Sequence, residues 1–220
     1  MHTGSEIKDV NVFLAGLDIM FEMARHFDTL EFIDMGSGFK VPYHVDEDET
    51  NVHLLGNQVA EALHTFENET GKKLEVWFEL GKFLVSECGY FLVKANIIKQ
   101  TTATVFVGVN SGFNHLIRPM FYDSYHHIVN ISNPEGPERI YTVVGNICET
   151  DTFAWDRKLP EVREGDVLAF MNAGAYGFEM SSHFNSRLKP AEVLVMNGHS
   201  VLIRSRETFE DLLKNQIEVL

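Results

Sequence analysis

Arg118-Pro119-Met120-Phe121-Tyr122-Asp123 sets a guanidinium near a phenol. Arginine's planar fork matches a carboxylate through paired hydrogen bonds, so this stretch reads as an anion binder. Ile147-Cys148-Glu149-Thr150-Asp151 sets a thiol beside a carboxylate, and Asn172-Ala173-Gly174-Ala175-Tyr176-Gly177 is a small-residue turn that presents a tyrosine. Three more stretches carry polar or glycine-rich chemistry: His2-Thr3-Gly4-Ser5, Gly36-Ser37-Gly38 and Glu79-Leu80-Gly81-Lys82. Glycine-rich turns expose backbone N–H groups, which bind phosphate. Each stretch also has a plainer reading. Arg118 alone is a surface arginine, Cys148 a core thiol and Tyr176 a loop residue. Gly36-Ser37-Gly38 alone is a strand-to-helix turn, Glu79 a solvated acid and His2 a frayed terminal residue.

The elements that position these residues come in two kinds. Apolar residues over 9–27 (Val10, Phe13, Leu14, Leu17, Met20, Phe21, Ala24) recur at three- and four-residue spacings and predict an amphipathic helix. Residues 52–70 repeat the pattern with Leu54, Leu55, Val59, Ala62, Leu63 and Phe66. Each helix is followed by a short apolar run, Leu30–Met35 and Leu74–Phe78, which ends at Gly36-Ser37-Gly38 and at Glu79. Helix, strand, helix, strand predicts a parallel sheet. From about residue 84 the pattern changes to strand-like runs at 89–99, 103–109, 126–132, 139–147, 166–172 and 191–204. Asn197-Gly198 predicts a hairpin turn, and 207–215 a final helix. The expected fold is therefore α/β plus all-β: residues 1–83 as part of a barrel, 84–220 as an antiparallel β-barrel or sandwich. Two strands and two helices are too few to close a parallel barrel, which takes about eight of each.

Composition narrows the function classes. No apolar run approaches the ~18 residues of a membrane helix, and the N-terminus has neither the basic nor the apolar region of a secretory signal. Two cysteines make no disulfide framework, so a reducing cytoplasm is expected. The net charge of −14 comes with scattered Lys and Arg, which argues against a nucleic-acid partner. Ten histidines raise the question of a metal, but His126 and His127 are adjacent and would point to opposite faces of a strand. No Cys/His spacing suits zinc, so no metal is expected. No Gly-x-Ser-x-Gly elbow points to a hydrolase.

Taken together and in this order, the motifs resemble the fold-type III pyridoxal-phosphate decarboxylases, and among them the diaminopimelate decarboxylases. The resemblance runs over the whole chain from His2. It is most specific at Gly108-Val109-Asn110-Ser111-Gly112-Phe113-Asn114-His115-Leu116-Ile117-Arg118-Pro119, at Val144-Gly145-Asn146-Ile147-Cys148-Glu149 and at Asn172–Gly177. Glu149 after Cys148 favours this group, since the ornithine and related enzymes usually have Asp there. The resemblance implies an alanine-racemase-like (β/α)8 barrel, present here in part, and pyridoxal 5'-phosphate as cofactor. It implies that Gly36, Ser37, Gly38, Ser5 and Tyr176 bind the cofactor's phosphate, that His2 stacks on its ring, and that Glu79 pairs with the pyridine nitrogen. Lys82, Arg118, Tyr122 and Glu149 match substrate-binding positions, and Cys148 the residue that returns a proton. It further implies a homodimer in which Cys148 and Glu149 reach the partner's site, and decarboxylation of meso-diaminopimelate to L-lysine.

The chain departs from the family pattern in three places. Glu-Pro-Gly-Arg appears as Glu79-Leu80-Gly81-Lys82, where lysine keeps the charge but loses the fork. Gly-Gly-Gly appears as Gly36-Ser37-Gly38. The lysine to which the cofactor is attached in such enzymes lies well before the histidine motif, and Lys40, Lys82 and Lys94 do not match it. About five of the roughly eight barrel strands are also unmatched, so the chain by itself is expected to be inactive. Two other readings stay open: a related ornithine, arginine or carboxynorspermidine decarboxylase, and a non-catalytic partner that dimerises with a complete enzyme.

Overall fold

In the computed structural model, which describes residues 1–219, the chain divides into two units, Met1–Ser86 and Glu87 onward. In the first, helix α1 (Val10–Ala24) starts where the Asp9 carboxylate accepts the N–H of Asn11. Such a cap satisfies one of the orphan amides of a helix start. Helix α2 (Val52–Thr70) is capped likewise by Asn51, and it ends at Gly71 in the left-handed conformation, with φ 68°. Strands β1 (Phe32–Asp34) and β2 (Glu75–Trp77) pair in parallel, with Ile33 opposite Val76. The predicted helical faces bury or partly bury except at Leu54, which is exposed at the start of α2. Phe13, Leu17, Phe21, Leu55, Val59 and Phe66 join Ile33, Met35 and Leu74 in one core, where Phe21 stacks on Phe66 at 4.6 Å. A short helix α3 (Lys82–Val85) follows, which the sequence pattern does not signal.

The second unit is built on a six-stranded sheet. Its strands are β3 (Phe91–Gln100), β4 (Val105–Val109), β5 (Ile128–Asn130), β6 (Glu138–Val144), β7 (Thr152–Pro160) and β8 (Val167–Phe170). They lie in the order β5-β8-β3-β4-β6-β7, and the edge strands β5 and β7 approach one another, so the sheet nearly closes. Val93, Ala95, Val107, Tyr141, Val143, Phe153, Leu168 and Phe170 fill the interior. Tyr141 is fully buried, and its hydroxyl accepts the N–H of Val162 at 3.1 Å.

Two expectations need correction. The domain is not purely antiparallel, because β4 and β6 pair in parallel. A parallel pair needs a crossover, supplied here by the long connection through helix α4 (Arg118–Tyr122) and β5. The other correction is β7, which goes unpredicted. Its Asp156-Arg157-Lys158 run hides the strand character, and Asp156 has φ 47° where the register with β6 shifts.

Beyond the sheet, β9 (Glu192–Met196) and β10 (His199–Arg204) form the expected hairpin. Asn197 at φ 51° and Gly198 at φ 78° give the two positive φ values of a type I′ turn. Val193, Leu194, Val195, Val201, Leu202 and Ile203 are all exposed. Helix α5 (Phe209–Leu213) opens on a capping box between Thr208 and Asp211. No helix among the described residues is long and apolar enough to cross a membrane.

Candidate functional site

The first group of polar residues gathers at the C-terminal ends of β1 and β2. The parallel ladder continues past both strands: Met35 N–H donates to Trp77 O at 2.9 Å and Glu79 N–H to Gly36 O at 2.7 Å. This sets Glu79 beside the glycine turn. Gly36 and Gly38 have φ of 67° and 128°. A Cβ on Gly36 would lie 2.2 Å from Met1 O and 3.3 Å from His2 Cα; one on Gly38 would lie 2.7 Å from Gly4 O. The turn is thus closed against the segment that carries His2 and Ser5, and only glycine fits at its two ends. Ser37 stays out of the left-handed region, so serine is tolerated there. Gly36 N–H donates to Asp34 Oδ1 at 2.7 Å. Among the described residues, no hydrogen bond uses the N–H of Ser37 or Gly38. Two adjacent unused amides on a glycine turn suit a phosphate. Lys82 is ion-paired with Glu6, and its ammonium lies 5.6 Å from the Tyr43 ring.

The second group lies in the sheet unit. Arg118 opens α4 and is only 8% exposed, so the reading of a surface arginine does not hold. Its guanidinium lies 5.8 Å from the Tyr122 ring and 5.9 Å from the Tyr176 ring, and it donates to Ser124 Oγ at 3.4 Å. A guanidinium at about 6 Å from an aromatic face is held by the ring's quadrupole. Tyr176 has φ 57°, and a Cβ on the following Gly177 would lie 2.4 Å from Ala173 O. The small residues of this turn are therefore required by close backbone approach. Ala173 N–H donates to Gly89 O at 2.8 Å, and a Cβ on Gly89 would lie 2.2 Å from Gly174 Cα.

The third group is the loop after β6. Cys148 Sγ donates to Glu149 Oε2 at 3.3 Å, and both residues are exposed. Asp151 organises this loop: its carboxylate accepts Phe113 N–H and Ile147 N–H, each at 2.8 Å, and its carbonyl accepts Gly145 N–H at 2.7 Å. Burial raises the Asp151 carboxyl, while the backbone N–H donors oppose that rise. Ser111 Oγ and Leu188 O bracket His115 at 2.7 and 2.9 Å, and burial holds its imidazole below the usual histidine range. Sequence reasoning passes over Asp151 as a support, although it stands three residues after Cys148; only its burial distinguishes it.

Comparison with known proteins identifies the family of the chain. Residues 25–174 match the family model of the pyridoxal-dependent decarboxylase C-terminal sheet domain. The chain belongs to the pyridoxal-dependent decarboxylases. Diaminopimelate decarboxylase of Methanothermobacter thermautotrophicus is 42% identical over 98% of the chain and 52% of that protein. The enzyme of the same name from Archaeoglobus fulgidus is 37% identical over 98% of the chain and 52% of its own length. Among solved structures, diaminopimelate decarboxylase from M. jannaschii in complex with L-lysine aligns with a TM-score of 0.89 at 31% identity. That alignment covers 99% of this chain and 51% of the other. Lysine/ornithine decarboxylase from Vibrio vulnificus shares the fold, with a TM-score of 0.72 at 20% identity. The chain thus spans about half the length of the pyridoxal-dependent decarboxylases it matches.

Proposed function

We propose that this chain is the C-terminal portion of a pyridoxal-phosphate-dependent decarboxylase that converts meso-diaminopimelate to L-lysine and CO2. Residues 1–83 then contribute part of a (β/α)8 barrel and residues 84–220 the β domain. What carries the substrate assignment is Arg118: buried, flanked by two phenols, in a chain whose relatives bear that enzyme's name. A guanidinium so placed suits the distal carboxylate of a dicarboxylic amino acid, which ornithine and arginine lack.

The glycine turn supports the cofactor, because its unused amides and closed backbone fit a phosphate. Gly36, Ser37 and Gly38 would hold that phosphate with Ser5 and Tyr176, and His2 would stack on the ring. When bound, the cofactor's pyridine ring draws in the electron pair left as CO2 departs. Glu79 favours the protonated pyridine nitrogen, since a nearby anion stabilises the charged form. Arg118 and Tyr122 bind the distal carboxylate, Glu149 the distal ammonium, and Lys82 adds charge to the substrate-binding set. Cys148 Sγ–H returns a proton to the carbon that lost CO2. Cys148 and Glu149 are exposed, and with the family resemblance we assign them to the site of a second copy in a homodimer.

Activity is proposed for the protein that includes the remaining half of the relatives' length. The test is lysine release from meso-diaminopimelate with added pyridoxal phosphate, by this chain alone and with the complementary half supplied. Release only when that half is supplied is expected. A diamine product from ornithine, with no lysine from diaminopimelate, would overturn the substrate. Release by the chain alone would mean that a lysine within these 220 residues attaches the cofactor.

A further inference from the structure

Cys148 has a second polar neighbour that no motif signalled. Asn185 Nδ2–H donates to Cys148 Sγ at 3.7 Å, on the side of a sulfur whose own proton goes to Glu149. Asn185 sits in a short 3₁₀ turn, Phe184–Ser186, and both Asn185 and Ser186 have positive φ, 55° and 56°. Strained backbone of this kind persists only where its surroundings hold it, and here they do. Ser186 N–H donates to His183 O at 2.8 Å, and the Phe184 ring packs on Phe113 at 4.9 Å. His183 Nε2 meets Glu207 Oε2 at 2.6 Å, and Glu207 also accepts Lys189 N–H at 2.8 Å. Arg187 reaches back to Asn146 O at 3.5 Å, on the loop that carries Cys148.

We infer that Asn185 is a positioning residue for Cys148: its amide supports the sulfur once the thiol proton has left, when the S–H bond to Glu149 no longer exists. The inference deepens the proposed function and rests on Cys148 as the proton donor. A thiolate gains from a hydrogen-bond donor and loses from a nearby anion. Glu149 supplies the anion side; Asn185 supplies the donor side.

The test is alkylation of the 220-residue chain by iodoacetamide at neutral pH, read at the Cys148 peptide by mass spectrometry with Cys88 as internal reference. Asn185→Gly suits the positive φ and removes the amide; Asn185→Asp keeps the shape and brings a carboxylate. Only the thiolate reacts, so Asn185→Gly is expected to slow labelling about threefold and Asn185→Asp about tenfold. Labelling at the native rate or faster in both variants would overturn the inference and leave Asn185 a backbone role. The readout needs neither cofactor nor substrate, so it stands or falls apart from the lysine-release assay.

Discussion

At the scale of single residues, Arg118 carries the proposed anion binding and Asp151 the support of its loop. Arg118 faces two tyrosines, and its value lies in a rigid fork. Arg118→Lys keeps the charge but not the paired geometry. In the assembled enzyme it is expected to lower kcat/KM for diaminopimelate roughly a hundredfold, about 2–3 kcal/mol, measured as lysine release at low substrate. Asp151 satisfies the buried amides of Phe113 and Ile147. Leaving buried N–H groups unpaired costs about 1–3 kcal/mol each. Asp151→Ala is therefore expected to destabilise the chain by about 2–4 kcal/mol in urea unfolding and to speed proteolysis near Cys148. Gly112 and Gly145 crowd the same carboxylate, since a Cβ on either would come within 2.7 Å of Asp151 Oδ2.

At the scale of elements, the β9–β10 hairpin stands on its turn. Gly198 at φ 78° has no neighbour that a Cβ would meet, so the cost of Gly198→Ala is conformational alone, about 1 kcal/mol. Faster hydrogen exchange of the Val193–Met196 amides, with the sheet amides unchanged, is the expected result. This hairpin, α1 and α2 were legible in the sequence, the helices through their apolar periodicity and the hairpin through its Asn197-Gly198 turn. The glycine turn was legible too, as a strand end. Two elements were not. Strand β7 carries Asp156, Arg157 and Lys158 because it bulges at Asp156 and lies at the sheet edge, where charge is tolerated. The parallel β4–β6 pair was hidden because pairing direction depends on the path of the connection, which strand-like runs do not encode. Asn185 was invisible for a related reason: it meets Cys148 through folding, with no spacing rule between them.

At the scale of the whole molecule, acid should loosen the fold before its carboxylates titrate fully. His126 is 1% exposed, its Nδ1 lies 2.8 Å from Met171 O, and burial pushes its pKa down to about 4. In the unfolded chain a histidine binds its proton near pH 6.5. Between these values the unfolded state holds the extra proton, so stability falls as pH drops from about 6.5 to about 4, by on the order of 3 kcal/mol. Urea midpoints across this window should decline, and His126→Gln should flatten the decline. The crossover between β4 and β6 has a different consequence, one of time. Neither strand can close on the other until the intervening chain has been laid down, so this step joins residues far apart in sequence and is slow for entropic reasons. Arg118 and Tyr122 ride on that intervening chain. A nascent chain would thus own its glycine turn, built from local helix–strand steps, well before Arg118 and Tyr122 are held in place, and their placement would mark the closing of the β4–β6 pair.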